Sequence, residues 1–334
     1  MDNRILLAHG SGGKLSHDLV RKHIISRISN PLLDRLDDSA VLDSEGRLAF
    51  TTDSYVVSPI IFPGGDIGRL AVCGTVNDLS MAGAKPLYLS LSFIIEEGLE
   101  VAEFERIVRS IAETAAEAEI EIVTGDTKVV NRGDADRLFI NTSGIGKIPN
   151  GIDIAGANAK PGDRIILSGT IGDHGIAIMS KREGLNFSTT LESDCAPLNH
   201  LVADMLGGST LINCLRDPTR GGLATTLNEI AGQSSVGMEL EERSIPIRDE
   251  VRGACELLGL DPLYVANEGK LMAIIDKKAA EPVLAKMKQN IYGKNAVIIG
   301  RVTGEHPGRV VLKTPYGSSR ILDMLSGELL PRIC

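Results

Sequence analysis

The sequence predicts an α+β fold with α/β-type layers, arranged as two domains and a short tail, and three observations carry that prediction. Hydrophobic residues make up 43% and charged residues 24% of 334 positions, a globular balance that supplies a core for each of two medium domains. In the first half, strand-like and helix-like segments run in the order β-β-α-β-α-β-β. That is not the regular alternation of a doubly wound sheet, so separate sheet and helix layers are expected. Pro149-Asn150-Gly151 and Pro161-Gly162-Asp163 then supply turn-rich breaks near mid-chain. The domains are set at 1–150 and 151–326, with 327–334 as a flexible tail.

The elements follow in order. HGSGGK (9–14) is a glycine-rich stretch, followed by an amphipathic helix-like run to about residue 28. Short strands are expected at 40–42, 48–52 and 56–61, before the Pro63-Gly64-Gly65 turn. Leu70, Val72, Cys73, Val76 and Leu79 are the apolar positions of a helix over 67–81, which Ala82-Gly83-Ala84 ends. Residues 86–95 are apolar between turn signals and read as a buried strand. A long helix with one charged face is expected over 100–119, then strands at 120–124 and 138–148. In the second half, strands are expected at 164–168, 271–275, 297–302 and 309–314. Helices are expected from Gly172-Asp173-His174-Gly175 to about 181, and at 221–233, 248–258 and 277–289.

Composition excludes several classes. A net charge of −9 disfavours a general nucleic-acid surface and suits a protein that binds anions through Mg²⁺. Five cysteines with no C-x-x-C spacing disfavour a disulfide framework and a zinc ribbon. The six histidines show no metal spacing, and there is no G-x-S-x-G elbow. MDNRILLAHG lacks a basic leader and an apolar run, and no stretch is long enough to span a membrane, so a cytoplasmic protein is expected.

Candidate chemistry centres on carboxylates at element ends. Asp37 and Asp38 precede a strand, Asp53 follows one, Asp78 lies late in a helix and Asp126 sits just after a strand. Hard oxygen ligands of this kind suit Mg²⁺, which takes one or two carboxylates plus phosphate oxygens, although Asp is also a common cap and turn residue. Lys14 beside flexible backbone could grip phosphate, but the spacing is not Walker A because Leu15 follows. Gly125-Asp126-Thr127-Lys128 pairs an acid with a base, as phosphoryl chemistry needs, or forms a surface ion pair worth little. Glu268 stands in a loop ahead of a strand. It is a candidate general base, though a lone loop glutamate is ordinarily solvated. Cys334 is the last residue of an extended PRIC segment, and two readings stay open for it: a working thiol, or a docked tail.

The combination of HGSGGK, DDSAV (37–41), the block from Thr51 to Ala84, GDTKVV (125–130), GDHGIAIMSKREG (172–184), RDPTRGGLATTLNEIA (216–231) and terminal PRIC resembles the hydrogenase-maturation carbamoyl dehydratases. These belong to the PurM-like, aminoimidazole ribonucleotide synthetase superfamily. The resemblance spans nearly the whole chain. It implies a PurM-like two-domain fold whose N-terminal, ATP-binding sheet pairs across a homodimer, with ATP and Mg²⁺ near that junction. It implies nucleotide-binding roles for Lys14, Asp37, Asp53, Asp78, Asp126 and Thr127, and metal roles for Asp38, Asp53, Asp78 and Asp126. Cys334, Lys128 and Glu268 would be catalytic. The implied reaction is ATP-dependent dehydration of a carbamoyl group on Cys334 to a thiocyanate, releasing ADP and phosphate. The carbamoyl group would come from the carbamoyltransferase HypF. The cyano group would pass to iron on the HypC–HypD complex, for the [NiFe] hydrogenase centre. Two other readings stay open: an ATP-dependent relative acting on a free small molecule, and a scaffold without activity.

Overall fold

The computed structural model describes residues 4–6, 9, 18–31, 33, 45–183, 191–325 and 333–334. A helical segment over Val20–Ile25 and Ser26–Ile28 comes first. Then follow β1 (Leu48–Tyr55), β2 (Ile61–Phe62), β3 (Gly65–Asp66), α1 (Ile67–Met81), β4 (Lys85–Glu96), α2 (Val101–Glu117), β5 (Glu121–Val130) and β6 (Leu138–Lys147). The second half runs β7 (Arg164–Leu167), α3 (Asp173–Arg182), α4 (Asn199–Gly208), β8 (Ile212–Arg216), α5 (Gly222–Ser234), β9 (Gly237–Glu241), α6 (Asp249–Leu258), β10 (Met272–Ile275), α7 (Ala280–Met287), β11 (Val297–Thr303), β12 (Val310–Lys313) and β13 (Ser319–Leu322). The α+β expectation holds, and no helix among the described residues is long and apolar enough to cross a membrane.

The N-terminal sheet has the order β1-β6-β4-β5, antiparallel except for the parallel β4–β5 pair. One face is covered. Asp66 caps α1 by accepting from the N–H groups of Gly68 and Arg69. Leu70, Val76, Phe104, Ile107 and Ile111 of the two helices then pack with Leu89, Leu91, Phe93 and Ile95 of β4. Gly68 lets the helices close, because a Cβ there would lie 2.7 Å from the Ile107 carbonyl. The other face is open. Its side chains include Phe50, 72% exposed, with Leu48 and Ile94 also exposed.

The C-terminal sheet has seven strands, in the order β13-β12-β9-β11-β7-β10-β8. Ile165, Leu167, Met272 and Ile274 pack under α5, while Ile166, Ala273 and Ile275 pack under α4 and α7. Burial on both faces explains why β7 and β10 read as unbroken apolar runs.

Several elements depart from the sequence expectation, among them β8, β9 and β13, for which no strand is expected. β1 continues through Asp53 and β5 runs through Asp126, so both acids lie inside strands and not after them. Residues 56–60 form no strand; only Ile61–Phe62 pairs, with β3. Helix α4 was not expected, because its apolar positions Leu201, Val202 and Met205 are embedded in a polar, glycine-ended stretch. Strands 40–42 lie outside the described residues.

Candidate active site

The site grows from the loop ahead of β10. Asn267 is fully buried and ties three segments together. Its Oδ1 accepts from the Gly172 N–H at 2.7 Å, and its Nδ2 donates to the carbonyls of Pro218 at 2.8 Å and Val265 at 3.1 Å. The next residue, Glu268, donates its N–H to Asp194 Oδ1 and accepts at its carbonyl from Asn77 Nδ2 on α1. Gly269 is required behind it, since a Cβ there would stand 1.7 Å from the Asp194 carbonyl oxygen. This frame drives the Glu268 side chain inward, and it is 4% exposed, not solvated as a lone loop glutamate would be. Its Oε1 is buried with no hydrogen-bond partner among the described residues. Burial pushes the carboxyl well above the usual range, and Cys195, Asp217, Asp194 and Asp53 push the same way.

The chain's last two residues meet this frame. Ile333 is buried in the N-terminal core cluster, and its carbonyl accepts from His174 Nε2 at 2.8 Å. An oxygen of the Cys334 α-carboxylate accepts from the Val56 N–H at 3.3 Å, just past the end of β1. Burial raises the Cys334 thiol. Glu268 and Asp53 add to that, and the Arg220 guanidinium opposes it.

Asp53 therefore links several groups. It lies on the covered face of β1, opposite Thr142, whose hydroxyl donates to the Ala71 carbonyl in α1. Two residues before it, Thr51 Oγ1 donates to Asp78 Oδ2 at 2.9 Å. Burial raises the Asp78 carboxyl, and Asp53 raises it further. Asp217 is pushed up to about 7, by burial first and then by Asp78 and Asp53. Thr51, Asp78, Arg216 and Asp217 line a cavity of about 290 Å³. Among the described residues no three acids, histidines or cysteines form a metal-holding group on their own. Crowded carboxylates with raised proton affinity still suit Mg²⁺, which would take one or two of them and complete its octahedron with phosphate oxygens and water.

Asp126 and Lys128 lie elsewhere. Lys128 Nζ sits 2.8 Å from Asp126 Oδ2, with both side chains more than half exposed. The hydrogen bond from Lys128 lowers the Asp126 carboxyl, and the Thr127 N–H also donates to it. Asp126 pairs in register with Ser92 and Lys128 with the exposed Ile94, so both point to the open face. Asp53 is on the covered face and three strand spacings away, about 14 Å. One chain therefore does not bring Asp126 and Lys128 together with Asp53 and Asp78. Lys14, Asp37 and Asp38 lie outside the described residues.

Known proteins match this frame along its length. The model of the AIR synthase related protein N-terminal domain matches residues 36–148, and that of its C-terminal domain matches 160–313. Carbamoyl dehydratase HypE of Azotobacter vinelandii is 53% identical over 329 residues, covering 98% of this chain and 96% of its own. The chain belongs to the HypE family of carbamoyl dehydratases. A crystal structure of hydrogenase maturation protein HypE in complex with ATP superposes with a TM-score of 0.96 at 52% identity, covering 98% of this chain and 99% of that one. A HypE–HypF complex gives 0.82 at 49% identity, covering 92% and 99%. Thiamine-monophosphate kinase from Stenotrophomonas maltophilia, at 21% identity and 0.63, shares the fold alone.

Within this HypE-family frame, the sequence-derived residues that gather are Asp53, Asp78, Glu268 and Cys334. Four others lie at the site, three of them without a functional expectation. Thr219-Arg220-Gly221-Gly222 reads from sequence as a helix start suited to an anion or as a tight turn, whereas Asp217 carries no role of its own there. Asp194 gave no signal, because its partners Glu268 and Lys270 lie more than 70 residues away. His174 gave none either, since it meets the tail's backbone and not a side chain.

Proposed function

We propose that Cys334 carries a carbamoyl group and that the chain uses ATP to remove the elements of water from it, leaving a thiocyanate. The observation that carries this reading is the docking of the chain's last two residues, held by His174 and the Val56 N–H, with the Cys334 thiol feeling the charges of Glu268 and Asp53. The ATP complex of the HypE relative supports ATP as the second substrate. The HypE–HypF complex supports HypF as the source of the carbamoyl group. On this reading residues 1–150 form the ATP-binding domain, 151–326 the second domain and 327–334 the carrier tail. The cyano group would pass to iron on the HypC–HypD complex.

The chemistry balances in two steps. The carbamoyl oxygen attacks the γ-phosphorus, the bond to ADP breaks and the nitrogen gives up one proton, leaving an O-phosphorylated imidate attached to the Cys334 sulfur. The nitrogen then loses its remaining proton, the C–O bond breaks and phosphate leaves with the electron pair. Phosphorylation is needed because oxide is a poor leaving group. Glu268 is suited to the proton steps: its Oε1 lacks a partner and its carboxyl holds protons tightly. A carbamoyl N–H would give that oxygen the bond it lacks, recovering about 1–3 kcal/mol. Asp53 and Asp78 would hold Mg²⁺, which supplies charge neutralisation at the phosphates.

The test is the intact mass of the tail peptide after ATP is added to carbamoylated protein. A Cys334 adduct lighter by one water is expected, and Glu268→Gln should leave the tail carbamoylated. Full dehydration activity in Cys334→Ala would sink the carrier reading.

A further inference from the structure

We propose that His174 is a latch that positions the tail by holding the Ile333 carbonyl, with Ser193 fixing the imidazole's tautomer. This deepens the carrier reading and rests on it.

A carbonyl oxygen only accepts, so the 2.8 Å contact of Nε2 with Ile333 requires the proton on Nε2. Nδ1 is then the acceptor, and it lies 2.8 Å from the Ser193 hydroxyl, which donates to it. That hydroxyl in turn accepts the Cys195 N–H at 3.1 Å, while the Ser193 N–H donates to the Pro63 carbonyl at 2.9 Å. Every polar atom of the imidazole is thus assigned, and the serine that sets it is held at two points. Phe62 meets the ring edge-on at 5.6 Å and the side chain is fully buried, so the ring has no room to turn away.

The latch shares a frame with Glu268. Gly172, just ahead of His174, donates its N–H to Asn267, and Gly175 donates to the Ala266 carbonyl. His174 and Glu268 are therefore carried by one hydrogen-bonded unit. The tail is gripped at consecutive residues, the Ile333 carbonyl by His174 and the Cys334 α-carboxylate by the Val56 N–H. Consecutive Cα atoms are 3.8 Å apart. Fixing both groups leaves the intervening Cα little freedom, and so keeps the Cys334 side chain within the field of Glu268. The buried Ile333 side chain anchors the tail, and the latch sets its register.

The test labels Cys334 with a maleimide in the full-length protein. The other four cysteines are buried, and Cys334→Ala reports any labelling at them. Without its donor the Ile333 carbonyl is left unpaired on docking, so His174→Ala should label at least about fivefold faster than wild type. His174→Gln, whose amide can donate near the Nε2 position, should restore protection. Ser193→Ala should label faster than wild type by a smaller factor. If His174→Ala fails to fold, Ser193→Ala decides. Labelling of Ser193→Ala at the wild-type rate, or of His174→Gln no slower than His174→Ala, would overturn the latch. Labelling needs neither ATP nor a carbamoyl group. A wild-type protein that never loses water from its adduct would therefore sink the carrier reading without touching the latch.

Discussion

Asp194 accepts the backbone N–H of Glu268 at 3.1 Å while its other oxygen holds Lys270 Nζ at 3.1 Å. One buried acid thus fixes the position of another, and stays ionised because a lysine faces it. Burial alone would raise the Asp194 carboxyl, but Lys270 and the Glu268 N–H hold it below the usual range.

Lys270→Met should therefore be strongly destabilising. The pair is nearly dry, at 3% and 14% exposed, and removing one partner of such a pair costs about 3–5 kcal/mol. The pH dependence has a definite sign. A depressed folded pKa stabilises above the unfolded value of about 3.9, and that stability is lost as pH falls through the folded pKa. Urea titrations between about pH 3 and 7 should show wild type losing more stability on acidification than Lys270→Met. Parallel curves would mean that Lys270 is not what keeps Asp194 charged.

The docked tail should loosen at alkaline pH. Burial, Glu268 and Asp53 raise the Cys334 thiol when it is docked, whereas a free thiol ionises near about 8.5. Docking is fully favoured below that value and weakens roughly tenfold per pH unit above it, until the docked thiol itself ionises. Carboxypeptidase release of residue 334, normalised to a free tail peptide at each pH, should accelerate accordingly. Cys334→Ser should show no such rise, and an equal rise in both would assign the effect to another group.

Asp78 and Asp53 lead to a metal-dependent prediction. ATP with Mg²⁺ at about a hundred times its dissociation constant should add about 2.7 kcal/mol of stability. EDTA should remove most of that gain, and Asp78→Asn should reproduce the loss with Mg²⁺ present. Undiminished stabilisation by ATP in EDTA would show that these carboxylates do not work through a cation.

Much of this was legible in the sequence, where local pattern and tertiary context agree. Helix α1 matches its expected bounds of 67–81, because an apolar repeat ends at Ala82-Gly83. Asp53, Asp78, Glu268 and Cys334 were legible as chemistry, and they gather. What was not legible depends on strand extension and on contacts across the chain. The extra residues of β1 and β5 come from ladder pairing with β6 and β4. That extension sets which face each acid occupies, because side chains alternate along a strand. The His174–Ile333 contact spans 159 positions and leaves no trace in spacing.

The open face of the N-terminal sheet carries the last prediction. Leu48 and Phe50 are exposed at one end of that face and Ile94 at the other, where Ile94 pairs in register with Lys128. Within one chain that pair is about 14 Å from Asp53 and on the wrong face. If a second copy packs its open face against the first, these exposed apolar side chains are covered and Lys128 comes from the partner chain. Lys128→Ala and Cys334→Ala would each then be inactive as homodimers. Mixed heterodimers would regain one complete site, joining the Cys334 of one chain with the Lys128 of the other. Co-refolding the two variants and following ATP-dependent loss of water from the tail checks this. Recovery of dehydration in the mixture is expected. A mixture as inactive as its parents, with exchange of chains verified by native mass spectrometry, would place Lys128 and Cys334 in the same chain's site or remove Lys128 from the reaction.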